Sequence, residues 1–191
     1  MFGTVKSMSL ILSIVLGLIV ARWLVQMALA RLNRQHVHRH AGQRPDAFAG
    51  IMDDATYARS VDYTLAKNRW HQFDVTWDAI VLMATLISGI LPWSYAMAVD
   101  HLGTSAWALG AYLFGVGLFL SLLELPWEWH AQFRLEARFG FNTTTVRTWV
   151  ADRIKGFILA VLLGYPLLVA IVAIMHWAHT WWWLLAWAVI T

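Results

Sequence analysis

No cysteine occurs among the 191 residues. That absence excludes a disulfide framework, a Cys-ligated zinc site, an iron–sulfur cluster and a thiol nucleophile, and it leaves the redox compartment unread. Charge is scarce too: 13% of residues are Asp, Glu, Lys or Arg, against about 25% in soluble domains. The chain contains no HExxH, no GxSxG and no P-loop, so it carries no complete catalytic constellation. What it has instead is apolar bulk: 60% hydrophobic residues, 13 Trp and a mean hydropathy of +0.57. The length suits one soluble domain, but the composition does not, and it excludes disorder equally. The class that remains is an integral membrane protein.

A span needs about 20 mostly apolar residues. Four stretches qualify: residues 8–32, interrupted by Arg22; residues 75–99, with Asp78 near the start; residues 105–127, whose only charged residue is Glu124; and residues 156–177. The expected fold is an all-α polytopic transmembrane bundle of four full spans plus the start of a fifth, residues 181–190. Ten helical residues rise about 15 Å, roughly half the hydrocarbon core, and a half-inserted helix leaves its last carbonyls in lipid. The expectation is therefore that residues 1–191 are the N-terminal transmembrane domain of a longer protein. The first stretch is too long for a signal-peptide core and lacks a clean cleavage site.

Basic residues set the expected orientation. Arg34, Arg39, Arg44, Arg59, Lys67 and Arg69 lie between the first two spans, and Arg134, Arg138, Arg147, Arg153 and Lys155 between the third and fourth. The two short connections have none. The long loops, about residues 33–74 and 128–155, are expected in the cytoplasm and the N-terminus outside; Lys6 alone is on the wrong side. The net charge of +3 is thus a topology signal, and nucleic acid is not an expected partner. Trp70, Trp77, Trp93, Trp107, Trp127, Trp129, Trp177 and Trp181–Trp183 fall near span ends, as an interfacial belt would place them.

Within the first loop, Asp53 or Asp54 is positioned to cap a helix that runs through Gln72 into the second span. Tyr57, Val61, Leu65 and Asn68 share one of its faces, and Tyr63, Lys67 and Trp70 share another. In the second loop, Gly140 between Phe139 and Phe141 marks a backbone position that calls for φ > 0, and Asn142 or a following Thr is expected to cap the next helix. The two rings around a glycine turn predict a packed corner. Asn142-Thr143-Thr144 matches a glycosylation sequon that a cytoplasmic loop would leave unused.

Three intramembrane polar residues are functional candidates: Arg22, Asp78 and Glu124. The plainer reading has Glu124 paired with Arg134 or Lys155 at the interface, and Arg22 snorkelling or paired inside the bundle. His36 and His40 have the i, i+4 spacing of a metal pair, but no carboxylate accompanies them and Arg39 repels a cation, so a lipid contact is the favoured reading. No span carries the internal His pair of a cytochrome b.

Leu135-Glu136-Ala137-Arg138-Phe139-Gly140-Phe141-Asn142, followed by Asp152-Arg153-Ile154-Lys155-Gly156, resembles the N-terminal membrane region of the zinc CAAX prenyl proteases. Leu125-Pro126, Gly164-Tyr165-Pro166-Leu167, the Trp181–Trp183 run and Tyr63-Thr64-Leu65-Ala66-Lys67 support the likeness, which covers Tyr57 to Thr191. His130 stands where the family pattern has Tyr, and Leu135 where it has a β-branched residue. The resemblance implies a multi-span helical protein around an intramembrane chamber, in which zinc held by HExxH and a distant Glu cuts prenylated or other membrane-associated proteins. Those ligands are absent from this sequence, so no catalytic, cofactor or metal residue is carried over. Zinc is expected in a full-length parent and not on this chain. What carries over is a structural signature: Arg138, Phe139, Gly140, Phe141, Asn142, Asp152 and Lys155, supported by Tyr63 and Lys67. Its expected role is to dock a C-terminal catalytic domain. The expected partners are the lipid bilayer, that domain and a peptide substrate, in an endoplasmic reticulum or bacterial inner membrane. Two alternatives are a non-catalytic membrane scaffold, and a small transporter subunit using Arg22, Asp78 and Glu124.

Overall fold

The computed structural model describes residues 2–42, 50, 52–178 and 187, with side chains from residue 10 onward. Seven α-helices and two π-helical segments make up the ordered elements, and no strand occurs among the described residues. Packing divides the chain into two units. One comprises Met1–Gly89 and Trp129–Asn142; the other comprises Ile90–Glu128 and Thr143–Thr191. The start of a fifth span expected over residues 181–190 falls outside the described residues, except for position 187.

In the first unit, α1 (Phe2–His40) packs along α2 (Asp54–Ile87). The partly covered side of α1 carries Leu16, Ile19, Trp23, Ala30 and Val37, a spacing of three, four and seven that keeps one stripe on the neighbour. Ala30 and Val75 are its buried residues. Trp23 Nε1 donates to Thr76 Oγ1 at 3.1 Å, and that hydroxyl donates to the Gln72 carbonyl at 2.7 Å. Within lipid, interhelical hydrogen bonds of this kind contribute about 0.6 kcal/mol on average. Asp53 caps α2 as expected, accepting from the Thr56 amide at 2.8 Å.

The second span departs from expectation. The continuous helix over residues 75–99 is broken: α2 ends at Ile87 and α3 (Ile90–Leu102) begins afresh. Gly89 takes φ +75°, which ends the i→i−4 ladder, and Pro92 in the first turn of α3 has no N–H to offer it. Among the described residues, three helical stretches remain long and apolar enough to cross a membrane: Leu10–His40, Ala106–Phe139 and Val146–Ala178. With α2 and α3 counted as one broken span there are four.

The second unit holds α3, α4 (Ala106–His130) up to Glu128, α6 (Val146–Leu159), a π segment (Ala160–Gly164) and α7 (Tyr165–Ala178). A Cβ added to Gly110 would lie 2.7 Å from Val169 Cγ2 and 3.3 Å from Val169 Cα, so α4 and α7 touch almost backbone to backbone there. Small residues permit such approach in membrane bundles, where dispersion between close surfaces replaces the hydrophobic effect. Tyr165 OH donates to the Trp107 carbonyl at 3.3 Å, and Tyr112 OH donates to the Leu91 carbonyl at 2.9 Å. The π segment lies just before Pro166, whose ring crowds the carbonyl four residues back; the wider turn relieves that crowding. Leu162 is 64% exposed, as suits a side chain turned to acyl chains.

Candidate functional site at the Gly140 corner

The region expected as a loop over residues 128–155 is largely helical. Beyond α4 the chain stays helical through a π segment (Ala131–Glu136) and α5 (Ala137–Phe139). Gly140 then takes φ +80°. Its amide donates to the Ala137 carbonyl at 3.2 Å, and the Phe141 amide donates to the Glu136 carbonyl at 3.0 Å. These two bonds form a Schellman motif, which satisfies the last carbonyls of a helix and requires a left-handed residue where Gly140 stands. Thr145, the third of the run after Asn142, caps α6 by accepting from the Thr148 amide at 3.2 Å.

The turn sets the rings of Phe139 and Phe141 against one partner. Tyr63 on α2 meets Phe139 at 5.3 Å between centroids, edge-on at 65°, and meets Phe141 at 4.6 Å. Aromatic pairs of this geometry add about 0.5–1.5 kcal/mol each beyond their buried area. Lys67 Nζ donates to Tyr63 OH at 3.3 Å and stands 5.5 Å from the ring centroid. The Arg138 guanidinium lies 5.6 Å from the Phe139 centroid. Asn142 Oδ1 accepts from Gln132 Nε2 at 2.7 Å, tying the exit of the turn to the π segment that enters it. His130 stacks on Trp70 at 4.4 Å and 15°. At this departure from the family pattern, an imidazole supplies the flat ring.

The structure therefore brings Tyr63, Lys67, Arg138, Phe139, Gly140, Phe141 and Asn142 together in one unit. Asp152 and Lys155 belong to the other unit and pair with each other at 3.6 Å along α6. Lys155, an expected partner of Glu124, is thus engaged elsewhere. Arg153 meets Glu128 at 2.8 Å while lying 5.0 Å from the Trp149 centroid. Arg22 and Asp78 line a common cavity of about 30 Å³ with Gln26 and Trp23, but no ion pair joins them. The space holds about one water. Glu124 is half-buried on α4.

Asp74 was not a candidate from sequence. Burial pushes its carboxyl above the usual range, the nearby Asp78 charge pushes the same way, and His71 opposes them. Gln132, the Trp70–His130 stack and the Glu128–Arg153 pair were missed as well. The acidic partner of Arg153 could have been read from its neighbours, because Glu128 closes α4 as Arg153 closes the second turn of α6.

The histidines at the end of α1 do not fit a catalytic zinc. His40 Nδ1 donates to the His36 carbonyl at 2.8 Å, and the two rings are 4.4 Å apart at a tilt. Among the described residues, His36, His38 and His40 do not form a three-ligand group and no carboxylate joins them.

A family model described as the CAAX prenyl protease N-terminal region, with five membrane helices, matches residues 33–191. The CAAX prenyl protease 1 homolog of Oryza sativa subsp. japonica is 28% identical over 151 residues, covering 75% of this chain and 35% of that protein. The Arabidopsis thaliana homolog is 30% identical over 139 residues, 69% of this chain and 33% of the relative. CAAX prenyl protease 1 of Saccharomyces cerevisiae is 29% identical over 145 residues, 71% and 32%. The chain thus spans about a third of the length of the curated relatives it matches. The crystal structure of S. mikatae Ste24p superposes with a TM-score of 0.71 at 23% identity, over 92% of this chain and 43% of that one, which shows a shared membrane-helical fold.

Proposed function

Since the chain belongs to the CAAX prenyl protease N-terminal family, we propose that it is the membrane-embedded, non-catalytic part of a zinc metalloendopeptidase acting on prenylated or other membrane-associated proteins. The observation that carries this reading is the family match over residues 33–191, which includes the whole Gly140 corner. The corner's role is to present a rigid surface to the catalytic half. Tyr63, Lys67 and Arg138–Asn142 build that surface. The zinc ligands lie outside these 191 residues, and no step of the hydrolysis runs through the side chains described. The family match lends no support to a transporter subunit.

The basic residues of the two long connections support a cytoplasmic position for residues 33–74 and 128–155, in the endoplasmic reticulum or a bacterial inner membrane. The lack of native cysteine makes this easy to test. Thr104→Cys, between α3 and α4, should react with an impermeant maleimide added outside, and Thr143→Cys should react only after the membrane is opened. The opposite pattern would overturn the orientation.

The activity is tested on the product of the native locus, tagged at its N-terminus and purified from membranes. It should cleave a prenylated CAAX peptide, lose that activity to a zinc chelator and regain it with zinc. A product that folds in the membrane but never cleaves would favour the scaffold reading.

A further inference from the structure

The loop-side end of α1 has an unbalanced charge. No Asp or Glu occurs before Asp46, yet Arg31, Arg34 and Arg39 follow the apolar run within α1. All three are exposed, and none has an acidic partner among the described residues. A helix C-terminus attracts cations, which accounts for the last turn, where Arg39 sits between His38 and His40. It does not account for Arg31 and Arg34, which lie more than a turn further back.

Depth supplies what the dipole does not. Leu29 and Leu32 are the last large apolar residues of the span, and they mark the edge of the hydrocarbon. From Leu32 to Arg39 the helix rises about 10 Å, which passes through the headgroup layer of about 5–7 Å. Side chains on a helix lean toward its N-terminus, and here that direction is back toward the membrane. Arg34, His36 and Arg39 therefore reach into the headgroup layer instead of away from it.

A groove of about 520 Å³ runs along this end of α1, lined by Leu29, Leu32, Asn33, His36, Arg39 and His40 among others. Its lower wall is leucine, and its upper rim is a guanidinium with amide and imidazole donors. A free anion has no use for the leucine wall, and a zwitterionic lipid brings a phosphate already balanced by its own cation, so an anionic lipid suits the guanidinium better. We propose that this end of α1 binds an anionic phospholipid, with the phosphate held by Arg39 beside Asn33 and His36 and an acyl chain laid against Leu29 and Leu32.

The experiment uses the protein in nanodiscs of phosphatidylcholine doped with phosphatidylglycerol, followed by gentle delipidation and native mass spectrometry of the retained lipid. The wild type should retain phosphatidylglycerol in preference to phosphatidylcholine. Arg39→Gln should lower that retention about fivefold, since a basic residue near the surface adds about 1 kcal/mol to anionic-lipid binding. Arg39→Lys, less prone to disturb folding, should keep most of it. The control Arg34→Gln removes the same charge from the far face of α1 and should leave retention unchanged. Equal loss in the control would reduce the effect to net charge and overturn the site. Equal retention of the two lipids by the wild type would overturn it too, and so would complete displacement by inorganic phosphate.

Discussion

A methyl group added to Gly140 would meet nothing within 4 Å, whereas one added to Gly110 would sit 2.7 Å from Val169 Cγ2. The first glycine is required by its backbone, since φ is +80° and an L side chain resists that conformation. The second has ordinary helical φ and is required by its neighbour. The difference extends to the units that hold them. Around Gly140, rings, caps and side-chain hydrogen bonds close a polar corner beyond the span. Around Gly110, two apolar helices are held mainly by close contact, with the Tyr165–Trp107 hydrogen bond beside it. One kind of glycine is indifferent to changes in surrounding residues, and the other can be relieved by them.

That contrast can be broken by mutation. The largest effect is expected at Gly110: Gly110→Ala should destabilise by about 1–3 kcal/mol through overpacking, because Val169 is β-branched and cannot swing aside in a helix. Val169→Ala in the same chain should restore part of the loss, read as a thermal midpoint in detergent. Failure of that rescue would mean the contact is not what Gly110 serves. Next comes Tyr63→Ala, which removes two ring pairs at once and should destabilise by about 1–3 kcal/mol, while Tyr63→Phe, losing only the hydroxyl met by Lys67, should lie near wild type. Gly140→Ala should destabilise by about 1–2 kcal/mol, with Gly140→Asn milder, and no substitution of a neighbour should relieve it. Wild-type expression and melting of Gly140→Leu would rule out the left-handed turn.

Smaller still is the Glu128–Arg153 pair. Both side chains are over two-fifths exposed, so Arg153→Met should change stability by about 0–1 kcal/mol. Asp74→Asn should act in the opposite direction to all of these. The folded state raises the Asp74 carboxyl above its ordinary 3.8, so it binds a proton more tightly than the unfolded chain does. Stability from this group is full below that ordinary value and is lost as pH rises through the raised one. Asp74→Asn should therefore melt higher than wild type at neutral pH, and the gap should shrink on acidification. A gap that does not change with pH would remove the protonation account.

Much of the fold was legible because lipid imposes a coarse rule: long apolar runs must be helices. The spans over residues 8–32 and 156–177 lie within observed helical stretches, and that over 105–127 does so from Ala106 onward. The second span was read as continuous because Gly89 stands in apolar surroundings, where a lone glycine passes for a packing residue. The pair Gly89 and Pro92 was the available signal, since glycine just past one helix and proline just inside the next mark a junction. The π segment Ala131–Glu136 had no signal, since its composition serves an α-helix equally well; Ala160–Gly164 had only the proline at position 166 to betray it. At the corner, Gly140 between two phenylalanines disclosed both the turn and its packing. Tyr63 was placed with it by family likeness, and the ring contacts now give that placement a physical basis. Gln132 stayed hidden because one glutamine on a helix says nothing about where its amide points.

The hydrogen bonds of the Schellman turn run between residues 136 and 141, so every atom needed to close it is made within a few residues of synthesis. The Gly110–Val169 approach must wait for a segment made 59 positions later. Contacts this local form before distant ones, because little chain has to be ordered to bring their ends together. The corner can thus stand as a finished hinge-point in the nascent chain before α7 exists. A defect at Gly140 should then appear as slow or misdirected membrane insertion, and a defect at Gly110 as a chain that inserts on time and assembles badly.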